Sequence, residues 1–365
     1  MTTMSSTRKW NFSAGPGVLP ESLIQQAQQD IWDLAGTGIG VMEHSHRGPA
    51  ITEVFEAARN KCREVGNIPD DFEILFLQGG ASLQFAMIPM AFLNSNSHAD
   101  YINTGSWTSK AIDEARRFGN VDVLWDGASE KFSRIPTDED YSWNEQSKYS
   151  YYCSNNTIYG TRWPQTPTSP TPLIADMSSE MFARAIDWES HDMVYAGAQK
   201  NLGPAGVTMV IIRRSLLEQA STDLPMMLRY DVFAKNGSMY NTPPVFAVYC
   251  VSLMFQWILD QGGLAGIEAM NEHKAGLIYS TIDESDGFYK GHAAKSDRSL
   301  MNITFRCPTE ELEAAFIKEA AEHDMANLKG HRSVGGLRAS VYNAFPEAGC
   351  HQLAQFMNEF ARKNG

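Results

Sequence analysis

The sequence predicts an α/β protein: a mostly parallel sheet covered on both faces by helices, followed by a smaller C-terminal α+β unit. Three observations carry this. Between Phe72 and Trp125 short apolar runs alternate with helix-period segments, the pattern of strands joined by helical crossovers. Apolar strands resume at 173–175, and two more, 193–194 and 207–212, flank a glycine-rich turn. Beyond Gly263 the order changes to helix, strand, helix, strand, helix, which reads as a separate α+β unit.

In chain order, Leu23, Ile24, Ala27, Ile31 and Leu34 recur at helical spacing after Pro20, with Gly36 as the stop. A second helix carries Ile51, Val54, Phe55, Ala58, Cys62 and Val65 on one face and ends at Gly66. Residues 72–77 read as a strand, 78–82 as a turn and 83–93 as a helix. A strand at 101–103, a helix at 109–118 and a strand at 121–125 follow. Residues 127–152 are polar and weakly periodic, and 161–172, with Pro164, Pro167, Pro170 and Pro172, read as a loop. The apolar stretch 245–259 starts after Pro243-Pro244 and is interrupted by Ser252 and Gln256. It falls short of the ~20 residues a bilayer span needs, so a buried helix ending near 262–263 is expected. The last unit should contain a helix at 264–282, a strand at 299–306 and a helix capped by Thr309, with Glu310 and Glu311 in its first turn. A strand at 337–342 and a helix at 348–362 complete it. The expected division is an N-terminal arm (1–15), a large domain (16–263) and a small C-terminal domain (264–365).

The 365 residues carry 30 Lys and Arg against 43 Asp and Glu, a net charge of −13. That balance argues against nucleic acid or an anionic membrane as partner, and an anionic substrate then requires a local basic cluster. Residues 1–10 are Thr/Ser-rich with Arg8 and Lys9 but lack an apolar core segment, so a mobile arm is expected rather than a signal peptide. Five dispersed cysteines without a C-x-x-C pair point to free thiols in a reducing compartment, hence the cytoplasm. His44-Ser45-His46 lacks a third ligand at metal spacing and no H-E-x-x-H occurs, so no metal is expected.

Lys200 stands out chemically. It sits among alanines and glycines in Ala196-Gly197-Ala198-Gln199-Lys200-Asn201-Leu202-Gly203, between two apolar strands. A desolvated amine has a lowered pKa and serves as nucleophile or Schiff-base partner. Gly79-Gly80-Ala81-Ser82, between a strand and a helix, has the outline of a phosphate cup, although an ordinary βα turn explains it equally well. Asp176 ends an apolar strand, where open α/β sheets keep their ligands; a helix N-cap before Ser178 and Ser179 is the competing reading. Taken together, an amine, a carboxylate, a cup and an aromatic such as Trp107 are what pyridoxal 5′-phosphate requires. The amine forms a Schiff base, the carboxylate keeps the ring nitrogen protonated, and the aromatic stacks on the ring. His46-Arg47, His331-Arg332 and Arg338 lie among glycines rather than on charged helical faces. Guanidinium forks bind carboxylate and phosphate bidentately, and several of them imply a substrate with two anionic groups.

Several segments resemble the signatures of phosphoserine aminotransferases, within class V of the fold-type I pyridoxal-phosphate enzymes. These are Asn11-Phe12-Ser13-Ala14-Gly15-Pro16, Ser45-His46-Arg47-Gly48, residues 195–206, Asn241-Thr242-Pro243-Pro244, and Lys329-Gly330-His331-Arg332 with 338–344. The resemblance runs in register from about Asn11 to the C-terminus. It implies a seven-stranded large-domain sheet and a homodimer with shared active sites. It also implies that Lys200 carries the cofactor, Asp176 pairs with the pyridine nitrogen, Trp107 stacks on the ring and Thr157 contacts its phenolic oxygen. Ala81, Ser82 and Gln199 would hold the cofactor phosphate, with Asn241 and Thr242 reaching in from a second subunit. Arg338 would take the substrate α-carboxylate. His46, Arg47, His331 and Arg332 would read the substrate phosphate or the glutamate side chain, partly across the dimer interface. The implied reaction exchanges an amino group between L-glutamate and 3-phosphohydroxypyruvate in serine biosynthesis, with 4-phosphohydroxythreonine as an open second substrate. Asn156 departs from the Glu of many members. A cysteine desulfurase on the same scaffold would need a cysteine on a mobile glycine/serine-rich loop, which the sequence lacks, and a mere binding protein would not keep the full set of polar residues.

Overall fold

The structure, a computed structural model, describes residues 8–365; the first seven residues of the expected arm lie outside the described residues. In chain order its elements are β1 (Trp10–Asn11), α1 (Glu21–Trp32), α2 (Pro49–Gly66), β2 (Phe72–Leu77), α3 (Gly80–Phe92), β3 (His98–Asn103), α4 (Ser106–Ala115) and β4 (Asn120–Asp126). Then come β5 (Ser150–Cys153), a two-strand ribbon β6 (Asn155–Asn156) and β7 (Thr161–Arg162), β8 (Leu173–Asp176), β9 (Met193–Gly197), β10 (Thr208–Arg213), α5 (Arg214–Leu217) and α6 (Tyr230–Lys235). The remainder is α7 (Val245–Asp260), α8 (Gly263–Asp283), β11 (Lys290–Gly291), β12 (Asn302–Arg306), α9 (Glu310–Glu322), β13 (Met325–Ala326), β14 (Leu337–Ser340) and α10 (Glu347–Asn364).

The main sheet has seven strands in the order β2-β10-β9-β8-β5-β3-β4. Only β10 runs antiparallel to its neighbours β2 and β9; the other pairings are parallel. Side chains alternate across the sheet with period two, as strand geometry requires. Ile74 and Phe76 of β2, with Ala175, Val194 and Met209, pack against Ile51, Phe55 and Cys62 of α2 and Val248, Val251 and Phe255 of α7. Leu75 and Leu77 of β2, with Tyr151, Ile174 and Tyr195, pack on the opposite face against Phe85 and Ile88 of α3 and Ala111 and Ile112 of α4. This is the double-sided coverage expected from the alternation. α2 begins with Pro49 at its first position and stops at Asn67, whose φ of 48° is left-handed.

A three-stranded sheet, β11-β12-β14, has its own core. Ile303 and Phe305 of β12, Ile278 and Ile282 of α8, Phe316 of α9, and Leu353, Met357 and Phe360 of α10 form it. Thr309 caps α9 by accepting from the Leu312 N–H at 3.3 Å, as the sequence predicts. Residues 10–12 of the expected arm are built into this part: β1 pairs in parallel with β13, and Phe12 is fully buried in the same core.

Three expectations need correction. The helix expected at 83–93 starts at Gly80, and that expected at 109–118 starts at Ser106, so Ala81, Ser82 and Trp107 lie in first helical turns. The polar stretch 127–152 hides the buried strand β5, too short for a period to register. Ile24 and Ile31, read as part of the apolar period of the first helix, are 38% and 39% exposed. Trp32, Ile39 and Met42, at and just after the end of α1, are exposed as well. Among the described residues no single helix is long and apolar enough to cross a membrane, and the stretch at 245–259 is the largely buried helix α7.

Candidate active site

The C-terminal ends of the parallel strands deliver the candidate residues to one cleft, lined by Gly80, Ala81, Ser82, Trp107, Thr157, Asp176, Gln199 and Lys200 among others. Asp176 is the last residue of β8, and Lys200 lies on the turn between the antiparallel neighbours β9 and β10. The Ala198 N–H donates to the Val207 carbonyl, and Leu202 and Gly203 N–H groups both donate to the Ala198 carbonyl. These bonds close the turn, so the lysine backbone is fixed.

The Lys200 Nζ donates to the Thr157 Oγ1 at 2.7 Å and lies 5.9 Å from the Trp107 ring centroid. The residue keeps some surface open to the cleft. Burial of the amine lowers its pKa from the ordinary lysine value, partly offset by Asp176 and Cys153 and reinforced by the Arg338 charge. Asp176 is 4% exposed; its Oδ1 accepts from the Ser178 N–H at 2.8 Å. Burial raises its pKa, against the lowering effects of Ser178 and the Lys200 charge. Residues 178–182 form turns rather than a helix, so Asp176 caps no helix, and besides its bond from Ser178 it lines the cleft.

The floor of the cleft opposite is the N-terminus of α3. Gly79 and Gly80 have φ of +93° and +67°, a left-handed pair that turns the chain sharply from β2 into the helix. A Cβ at Gly80 would meet nothing within 4 Å, so this first turn faces open space. Its unpaired N–H groups and dipole make an anion seat. The Trp107 Nε1 is buried without a partner, an orphan donor at the cleft wall.

Arg338 stands beside the cleft, its guanidinium donating to the Thr157 carbonyl at 3.3 Å. His331 is near it: burial lowers the imidazole pKa, followed by the charges of Arg338, Arg332 and Lys110. Three cations therefore gather around His331, the local basic cluster that an anionic substrate requires. His46, Arg47, Asn241, Thr242, His331 and Arg332 do not line the cleft of a single chain. Gln78, one residue before the cup, donates to the Thr242 carbonyl at 3.2 Å, and Arg47 Nε contacts the His46 ring at 3.3 Å. Asn156 is 1% exposed and its amide donates to Thr104 and Thr161 hydroxyls. It brings no charge to that wall.

Sequence reasoning overlooked Asn155, Cys153, Phe85 and Gly197, which also line the cleft. Cys153 and Asp176 face each other in register on β5 and β8, and only the pairing reveals it. All five cysteines are buried, and burial pushes the Cys153 thiol well above its ordinary value. A buried, protonated thiol is a poor nucleophile, which removes the desulfurase reading.

The sequence profile of the class-V aminotransferases matches residues 9–353. The chain belongs to this aminotransferase family. The phosphoserine aminotransferase of Desulfotalea psychrophila is 50% identical over 357 residues, covering 98% of this chain and 99% of the relative. That of Bacillus subtilis is 46% identical over 98% of this chain and 99% of its own length. Among solved structures, the phosphoserine aminotransferase from Bacillus circulans subsp. alkalophilus superposes with a TM-score of 0.96 at 45% identity, over 99% of this chain and 100% of that one. The pyridoxal-phosphate-bound enzyme from Trichomonas vaginalis gives 0.92 at 38%, over 96% and 100%. At 18% identity an aspartate aminotransferase from Thermus thermophilus still reaches 0.79, which marks the shared fold alone.

Proposed function

We propose that the chain is a phosphoserine transaminase: with pyridoxal 5′-phosphate it transfers an amino group reversibly between L-glutamate and 3-phosphohydroxypyruvate, giving 2-oxoglutarate and O-phospho-L-serine. The observation that carries this is the convergence of a buried amine, a buried carboxylate and a helix N-terminus on one cleft, in a chain whose full-length relatives bear that name.

The residues present fit the cofactor. Lys200 would hold its aldehyde carbon, Asp176 its ring nitrogen, Trp107 a ring face, and Thr157 the phenolic oxygen. Ala81, Ser82 and Gln199 would hold its phosphate at the start of α3, joined by Asn241 and Thr242 of a second subunit. The orphan Trp107 Nε1 and the open space at Gly80 are what such a guest would use. When bound, the group supplies a carbonyl that condenses with the substrate amine and a ring that accepts electron density from its α-carbon.

The chain's own residues do the rest. Asp176 keeps a proton on the ring nitrogen; a carboxylate that is costly to bury alone gains by facing a cation. Lys200, with its lowered pKa, would take the proton from the substrate α-carbon and hold it for return. Arg338 takes the α-carboxylate. His46, Arg47, His331 and Arg332 read the distal phosphate of one substrate or the carboxylate of the other, which explains why several donors serve one reaction. The amino group is stored between two half-reactions, so ping-pong kinetics follow.

The exposed apolar residues of α1 and of the segment just after it support a homodimer in which neighbouring chains complete each other's sites. The two sheets with separate cores support a division at about residue 263, and five free thiols support a cytoplasmic setting. The direct test is absorbance. The loaded protein should show a visible band that bleaches with glutamate and returns with 3-phosphohydroxypyruvate; a band indifferent to both would leave only a binding protein. Parallel kinetics with 4-phosphohydroxythreonine settle whether it is a second substrate.

A further inference from the structure

The structure turns the two histidines of His44-Ser45-His46 to separate partners: the His44 ring contacts Thr37 at 3.0 Å and the His46 ring contacts Arg47 at 3.3 Å. A different trio converges on the outer face of the C-terminal unit. His273 on α8 and His351 on α10 both direct Nε2 at one carboxylate oxygen of Glu347, at 3.2 and 3.3 Å. All three ligand atoms lie within 4.8 Å of one another. Around a zinc ion with ligands at about 2.0–2.1 Å, the corners of a tetrahedron are about 3.3–3.4 Å apart. Two of the three edges thus already have the required length. The side chains are about half exposed, so a small ring rotation closes the third.

The frame is rigid where it needs to be. Next to His273, the buried Lys274 donates to the carbonyls of Val341, Tyr342, Asn343 and Phe345. That ammonium fastens α8 to the segment leading into Glu347. On α10, Glu347 and His351 are four residues apart and share a helix face. Leu353, Met357 and Phe360 of α10 share a core with Ile278 and Ile282 of α8, which fixes the distance between the helices.

We propose that His273, Glu347 and His351 form a surface site for Zn²⁺, or a divalent transition ion of similar preference, that ties α8 to the first turns of α10. Two imidazoles and one carboxylate are a donor set such ions favour over Mg²⁺ or Ca²⁺. On binding, each neutral imidazole carries its proton on Nδ1 and leaves the Nε2 lone pair to the ion. The carboxylate exchanges two N–H donors for one cation, and water completes the fourth position. None of the three lines the cleft, so the site is structural rather than part of the transamination machinery.

The test is calorimetric titration of the cofactor-loaded protein, stripped with chelator, with ZnCl₂. One isotherm per chain, with a dissociation constant on the order of micromolar, is expected for three ligands without buried supporting partners. His273→Ala and His351→Ala should each weaken it at least about 10-fold, and MgCl₂ should give no such isotherm. Zn²⁺ should raise the melting temperature of the parent and not of the double variant, while metal-free transaminase activity is the same in both. No micromolar isotherm, or one that persists in the double variant, overturns the site.

Discussion

Replacing Asp176 by Asn separates the cost of that residue from its use. The carboxylate is 4% exposed and its resolved hydrogen bond is from the Ser178 N–H; burial raises its pKa despite the Lys200 charge nearby. Because the folded value lies above the unfolded one, the stabilising share of the protonated form is complete below the ordinary carboxyl range. It is lost as pH rises through the raised value, so at neutral pH the cofactor-free protein bears the full cost of the charge. Asn imitates the neutral carboxyl and can still accept from Ser178. Relief of a poorly compensated buried polar charge is of order 1–3 kcal/mol. At about 2.1 cal/mol/K per residue, 365 residues give an unfolding entropy of about 0.8 kcal/mol/K. Asp176→Asn should therefore raise the melting temperature of the cofactor-free protein by about 1–4 °C at neutral pH, with the gain vanishing toward acid. In the loaded protein the sign reverses. Loss of the proposed charged hydrogen bond should weaken cofactor binding by about 1.5–3 kcal/mol, and turnover should fall by about 10²–10³ as the fixed charge proposed to face the ring nitrogen disappears. Scanning calorimetry of both forms and steady-state kinetics check this. A destabilised cofactor-free variant with unimpaired turnover would refute the assignment of Asp176.

Other perturbations separate the remaining roles. Lys200→Ala should keep the fold by circular dichroism and turn over nothing; substantial residual transamination contradicts the role of its amine. Arg338→Lys loses the fork that grips a carboxylate and should raise the KM for glutamate about 10-fold or more, with the visible band intact; an unchanged KM would move the α-carboxylate site elsewhere. Lys274→Met leaves four carbonyls without the ammonium they share, a loss of about 3–5 kcal/mol. With the same unfolding entropy, that lowers the melting temperature by about 4–6 °C, and a neutral result would show that the cage is dispensable.

Much of the fold was legible because its signals are local. The six-residue run at 72–77 and the Thr309 cap need no distant partner to be read. β5 escaped because four residues hold no period, and its identity comes from pairing with β3 and β8. The first helix misled for a different reason: Ile24 and Ile31 fit the apolar period yet face outward, where a second chain can cover them. In the cleft, Lys200 and Asp176 were legible because an amine and a carboxylate at the ends of apolar strands are chemically out of place. Cys153 and Asn155 were not, since the β5–β8 register brings the one to the wall and the short β6–β7 ribbon the other. The trio at 273, 347 and 351 was invisible for the same reason, its ligands being scattered over two helices.

The most direct test of the central claim is a single half-reaction. Loaded protein mixed with excess L-glutamate and no keto acid should release one equivalent of 2-oxoglutarate per cleft, in step with loss of the visible band. Added 3-phosphohydroxypyruvate should then restore the band and yield one equivalent of phosphoserine. No 2-oxoglutarate, or release that does not follow the band, would contradict the account.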